Sequence, residues 1–213
     1  MRTPIIRKTI PIFPSDGPLP DEVRAFWKYM QKHYGTRVVS KASSKQMKAI
    51  AWALNLLGIT DKKRFMERYV TTIGRTIYVP FGLGGANEHW NLWSQIVVCV
   101  HEHQHVEQLK RDGWRFKWRY LTSKAKRAIY EAEAYRSNFE LYYWRYGKLP
   151  SARKRAESLR HYGCSKLEID VTEKYLALSA ETIKRGGIAN GASKVAVKWL
   201  NRYLPRLRFR KVG

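Results

Sequence analysis

Cysteine and acid are what this chain has little of. The two cysteines, Cys99 and Cys164, are too few for a disulfide framework, so stability has to come from a packed core. Cys99 sits in an apolar helical run and reads as a small buried hydrophobe. Asp and Glu number 17 against 41 Lys and Arg, a net charge of +24 spread along the chain. That balance implies attraction to polyanions: nucleic acid, an anionic membrane surface or an acidic protein. No apolar run approaches the roughly 20 residues of a membrane helix. The start, Met1-Arg-Thr-Pro-Ile-Ile-Arg-Lys8, lacks the apolar core of a secretory signal. The expectation is a cytoplasmic protein with no transmembrane segment. An internal repeat is also missing, as are GxxxxGK[ST] and GxGxxG. Gly82, Gly84 and Gly85 therefore read as a mobile connection and not as a phosphate cradle.

What is present is enough for one domain of 213 residues with a real core, at 44% hydrophobic and 13% aromatic content. Five prolines within residues 1–20 make an extended Pro-rich arm. Asp21 and Glu22 open a helix whose stripe is Val23, Phe26, Trp27 and Met30, ending near Gly35. Ser43 or Ser44 caps a second, with Met47, Ile50, Ala51, Leu54 and Leu57 at helical spacing and Gly58 as its stop. A short third helix is expected near 60–70. The β-branched stretch 71–79 reads as a strand or a tight hairpin about Gly74. Trp114-Arg-Phe-Lys-Trp-Arg-Tyr120 alternates aromatic and basic residues. It reads as a half-buried extended segment with its aromatics in the core, or as a surface that stacks bases and binds phosphates of single-stranded nucleic acid. A long helix from Lys124 to Tyr146 carries Ala125, Ala128, Ile129, Ala132, Tyr135, Phe139, Tyr142, Tyr143 and Tyr146 as its buried band. Helices at about 151–162, 166–185 and 192–204 and a basic tail, Arg206–Lys211, follow. The fold class expected is α+β, predominantly helical, with a small strand element.

The stretch from Asn91 to Leu109 organises the rest. Trp93, Val97 and Val100 form an apolar stripe that runs on into His101, Gln104, His105 and Gln108. Residues four apart stack on one helix face, so His101 and His105 can share one metal ion while Glu102 reaches a water beside it. His101-Glu102-His103-Gln104-His105 is the HExxH pattern, two zinc-ligating histidines and a glutamate general base. His103 points about 200° away and reads as a packing or surface histidine.

A catalytic zinc needs a third protein ligand. The candidates are His33, His89, His161, Glu131 and Glu133. Helix phase puts Glu131 beside the buried band and Glu133 toward Ser137 and Glu140, a polar side where Arg136 can pair with it, so Glu131 is preferred.

With His101-Glu102-His103-Gln104-His105, Gln108 and Glu131-Ala-Glu133-Ala134 in view, the chain resembles the gluzincin metallopeptidases over residues 76–146. It is similar to the membrane peptidases that process prenyl proteins or respond to heat shock, and more so to small soluble relatives carrying HExxHxxQ. The resemblance implies a zincin-like catalytic core over 21–146, followed by a helical C-terminal extension over 147–213. It implies Zn2+ held by His101, His105 and Glu131, and a substrate-binding edge strand at Thr76–Val79. The chain departs from the family at Tyr135, where an acid four residues after the ligand bears on the orientation of the histidines.

The function expected is a zinc metallopeptidase acting on a protein or peptide. The metal activates water, and Glu102 takes its proton and passes it to the leaving amine. Tyr135, Tyr130 and His89 are candidates for stabilising the oxyanion. The alternative is a basic nucleic-acid-binding or virion-type structural protein with a structural or vestigial metal site.

Overall fold

The computed structural model describes residues 17–56 and 61–210. The arm up to residue 16, Leu57, Gly58 and Lys211 lie outside the described residues, as does the side chain of Leu54. The fold is mostly helical with one small sheet. In chain order the elements are α1 (Pro20–Tyr34), β1 (Arg37–Ser40), α2 (Lys45–Leu56), α3 (Lys62–Arg68), β2 (Thr71–Ile73) and β3 (Thr76–Val79). Then follow α4 (Leu92–Asp112), α5 (Trp114–Thr122), α6 (Lys124–Tyr146), α7 (Ala152–Glu157) with a 3-10 turn (Ser158–Tyr162), α8 (Lys166–Lys184) and α9 (Gly191–Tyr203).

Side-chain caps fix several starts. The Ser44 hydroxyl accepts from the Met47 amide at 3.2 Å, Asn91 Oδ1 from Ser94 at 2.8 Å and Ser123 Oγ from Lys126 at 3.2 Å, each satisfying an amide the helix leaves unpaired. Gly35, Gly113 and Gly147 end α1, α4 and α6.

The spine is α4 against α6. On α4's other flanks lie α1 and α9, and α8 covers the far side of α6. Phe26, Trp27 and Met30 of α1, Ile77 of β3, Ile96 and Val100 of α4, Leu141 of α6 and Leu200 of α9 share one core, all fully buried or nearly so. Each such side chain contributes roughly 1.5–3 kcal/mol by leaving water. Ala192, Ala196, Trp199, Leu204 and Leu207 belong to this core as well, so the C-terminal helices pack onto the motif helix itself. The basic tail is partly a structural element: Leu207 is fully buried, and the Phe209 amide donates to the Trp144 carbonyl at 3.0 Å.

The hairpin about Gly74 is present, and β1 is an element the sequence did not disclose. The sheet order is β1-β3-β2, with β1 parallel and β2 antiparallel to β3. Thr76–Val79 is therefore the central strand and not an edge; all four of its residues are buried. The short β2 is the edge facing α4.

Two more expectations need correcting. Trp114–Tyr120 is helical, not extended. Its alternation also satisfies i, i+4 spacing: Phe116 and Tyr120 turn inward against Tyr130 and His105, while Trp114 and Trp118 are 73% and 62% exposed. On α6, Ala125 and Ile129 are exposed, whereas Ser137, Asn138 and Glu140 are buried. A helix packed on two opposite sides has no single polar face.

The Phe81–Asn87 connection is tied down by the fully buried Gln95, whose Oε1 accepts from the Gly84 amide at 3.0 Å and whose Nε2 donates to the Gly85 carbonyl at 2.7 Å. Gly84 has φ +76°, and a Cβ there would fall inside contact distance of the Pro20 carbonyl oxygen. Gly84→Ala should lower the unfolding free energy by about 1–3 kcal/mol. In urea denaturation this appears as a lower midpoint at unchanged slope, with Gly85→Ala, whose nearest neighbour is 3.4 Å away, close to wild type.

Candidate metal centre

One helical turn separates His101 from His105, and their rings stand nearly perpendicular, centroids 4.9 Å apart. Across the α4–α6 interface, Glu131 meets both. Its Oε2 lies 3.6 Å from His101 Nε2 and its Oε1 lies 3.5 Å from His105 Nε2. Ligands at 2.0–2.2 Å in a tetrahedron stand about 3.4 Å apart, so both separations suit a single ion. All three ligand atoms fall within 4.8 Å of one another, and this is the one group of three or more metal-binding side chains among the described residues.

The carboxylate gives an independent test of fit. Glu131 is 1% exposed; Oε1 accepts from the Tyr120 hydroxyl at 2.5 Å, while Oε2 is buried with no hydrogen-bond partner. An ionised oxygen buried without a donor is costly, and a cation between it and the two imidazoles removes that cost. Burial alone raises the pKa of Glu131. The His105 charge, with His101 and Tyr120, outweighs it and holds the carboxyl down at about 2. His101 moves upward: burial opposes its protonation, but Glu131 beside it wins. Two imidazoles and one carboxylate form a donor set suited to zinc and to other divalent transition ions.

Around the ligands the support is uneven. His105 Nδ1 is 2.8 Å from Gln108 Oε1, and Gln108 Nε2 donates to the Tyr130 carbonyl at 2.9 Å. That chain sets the His105 tautomer with Nε2 free for a metal. His101 Nδ1 is buried and has no partner; the Tyr135 ring, centroid 5.4 Å away, packs against it instead. His101 therefore lacks the Nδ1 hydrogen bond that orients His105.

Glu102 lies beside the ligands, 5% exposed. Its Oε2 accepts from the Thr72 hydroxyl at 2.6 Å, so the edge strand β2 grips the residue assigned as base. A cleft of about 350 Å³ opens onto His101 and Glu102, with Tyr135, Arg155, His161 and Tyr162 in its wall.

The other predicted residues are placed as follows. Glu133 binds Arg111 at 3.0 Å and accepts from Gln104 Nε2 at 2.8 Å, whereas Arg136 pairs with the buried Glu140 at 3.0 Å. The Tyr130 hydroxyl donates to Asp112 at 2.7 Å, so its carbonyl and not its phenol serves the site. His89 neighbours Glu88 in the loop before α4, His33 packs on Tyr29 and Tyr34, and His161 meets Arg64. None of these three joins the ligand group. His103 is fully buried on the opposite face, donating from Nδ1 to the Cys99 carbonyl at 2.7 Å with Nε2 3.0 Å from Thr36 Oγ1. Burial drives its pKa down to about 4 and keeps it neutral. Thr72 and Tyr120 carried no motif signal. Tyr120 was accessible only through its i, i+4 pairing with Phe116.

No protein-family model, curated protein or solved structure matches this chain. No described helix is long and apolar enough to cross a membrane.

Gln108→Ala should weaken metal binding about 10–100-fold, read by competition with a chromophoric chelator, whereas Glu133→Ala leaves that affinity unchanged. A pH series on metal-free protein tests the electrostatics. The depressed Glu131 contributes stability above its ordinary value of 4.5 that is lost as pH falls toward about 2. The raised His101 contributes stability that is full below its ordinary value of 6.5 and is lost as pH climbs through its folded value. Both limbs should be absent from the stability–pH profile of Glu131→Gln.

Proposed function

We propose that this chain is a zinc-dependent metallopeptidase with a gluzincin-like ligand arrangement, its ion held by His101, His105 and Glu131. The observation that carries the reading is the buried Glu131 carboxylate, its donorless Oε2 facing His101 Nε2 and its Oε1 facing His105 Nε2, with Glu102 next to them. When bound, zinc supplies Lewis acidity toward a carbonyl and lowers the pKa of water.

The chain's own residues carry the remaining work. Glu102 takes the proton from the attacking water and delivers it to the leaving amine. Thr72 anchors Glu102 Oε2, which fixes the carboxylate's orientation. Among the three oxyanion candidates, Tyr135 is the one in the wall of the cleft beside His101. The outer edge of β2, unpaired among the described residues, supports extended binding: β2 pairs with β3 on one side, and a peptide added along Thr71–Ile73 would lie next to Thr72 and Glu102.

A second reading, nucleic-acid binding by a basic structural protein, draws on α5. Trp114 and Trp118 are exposed among Arg115, Lys117 and Arg119, a stacking and phosphate-binding surface. Salt-dependent binding of single-stranded DNA that persists after the metal is removed, together with no hydrolysis, would favour it.

Elemental analysis of carefully purified protein should give one zinc per chain. Glu102→Gln should keep that zinc and lose about 10²–10⁴-fold in peptide hydrolysis. Thr72→Val should fall between the two, with kcat lowered more than KM. Zinc well below stoichiometry in wild type would sink the reading.

A further inference from the structure

The cleft over His101 and Glu102 has a charge pattern that says what it binds. Arg64 and Arg68 come from α3 on one side, and Arg155 from α7 on the other; Glu102 is the one acid in its lining. Among the described residues, no carboxylate lies within 4.0 Å of any of these three guanidinium groups. Arg24, Arg111, Arg136, Arg153 and Arg206 each have at least one. A chain with 41 basic residues and 17 acids must leave many cations unpaired, and on a convex surface they are simply hydrated. Three converging on one concave site next to a metal-binding group are a different matter, because a cleft concentrates their field.

The side-chain contacts of Arg64 and Arg155 within the protein are with neutral groups. Arg64 Nη2 stands 3.1 Å from His161 Nε2. The pKa of His161 is held below its ordinary value, by burial first and by the Arg64 charge second, so it accepts from Arg64 and stays uncharged. Arg155 lies over the Tyr135 ring, 5.4 Å from its centroid. Each guanidinium keeps donors to offer a planar anion, and bidentate pairing with a carboxylate suits that fork. Tyr69, Trp90 and Tyr142 supply apolar wall between the cations.

We infer that the cleft selects peptides carrying a carboxylate within a residue or two of the scissile amide, with Arg155, Arg68 and Arg64 as its recognition groups. This rests on the peptidase reading above. The carboxylate comes from an Asp or Glu side chain or from a peptide C-terminus, and the same guanidinium groups serve either. A peptide is favoured over a nucleic-acid strand because about 350 Å³ accommodates a short extended segment and the adjoining β2 edge offers main-chain pairing, which a nucleotide backbone cannot use.

The test uses zinc-loaded Glu102→Gln protein and fluorescent peptides matched except at one position, Glu, Gln or Lys, each with a free or amidated C-terminus. Anisotropy should show the Glu peptide binding about tenfold or more tighter than the Gln peptide, with the preference shrinking as salt rises. Tightening on freeing the C-terminus, with no effect of the internal Glu, would assign the site to the terminal carboxylate. Arg155→Gln should erase most of the preference, and the solvent-exposed Arg68→Gln should reduce it without disturbing the fold. Equal affinity for all peptides, a preference that survives both substitutions, or displacement of the Glu peptide by a lower concentration of oligothymidylate would each overturn the inference. Wild-type protein separates the two claims. Cleavage of Glu and Gln peptides at equal kcat/KM removes the carboxylate preference and leaves the peptidase. Arginine-dependent selective binding with no cleavage removes the peptidase and leaves an acidic-peptide site.

Discussion

The carboxylate of Glu131 is the constraint on which the centre of this molecule depends. It is carried by α6 into the interface with α4, almost wholly shielded from water, and surrounded by two imidazoles and one phenol. Burying an ionised group requires that its lone pairs be met. Tyr120 meets one oxygen; the second faces His101 with no hydrogen bond. That arrangement couples folding to a cation, a proton on His101 in its absence or a metal in its place. It also explains why α5 folds back over the site, since α5 supplies Tyr120 and packs Phe116 near His105.

Acids are scarce here, and the structure spends several of them inside. Glu102, Glu131 and Glu140 are all buried on the two central helices. Glu102 takes the Thr72 hydroxyl, and Glu140 takes Arg136 and the Ala189 amide. Glu133, half out of the core, locks Arg111 and Gln104 across the α4–α6 seam. The surplus of cations is left largely to the surface and to the cleft, where it becomes an attribute of the site and not only of solubility.

Most of the helices were legible because they carried their own punctuation. Ser44, Asn91 and Ser123 open helices and Gly35, Gly113 and Gly147 close them, through local hydrogen bonds that need no distant partner. The same local logic placed His101 and His105 on one face and preferred Glu131 to Glu133. It failed where two periods overlap or where a helix is covered on two sides. Trp114–Tyr120 satisfies both a strand's alternation and a helix's i, i+4 pairing, and only its packing on α6 decides between them. Ser137 and Glu140 looked like a solvent face until α9 and the segment before it covered them, with Asn190 donating to Ser137 and Ala189 to Glu140.

By itself the sequence determined the pairing of His101 with His105, the preference for Glu131 over Glu133 and the helical character of most of the chain, because each follows from periodicity along its own helix; Gln108 stood out only as a motif position, and its contact with His105 came from the structure. Tertiary structure alone decided that β2 and not β3 is the free edge. It also brought Thr72 to Glu102 and Tyr120 to Glu131, and set Arg64, Arg68 and Arg155 around one cleft. Those groups lie far apart in the chain on elements with no shared period, so only the docking of α3, β2, α5 and α7 about the α4–α6 spine brings them to the ligand group and the cleft beside it.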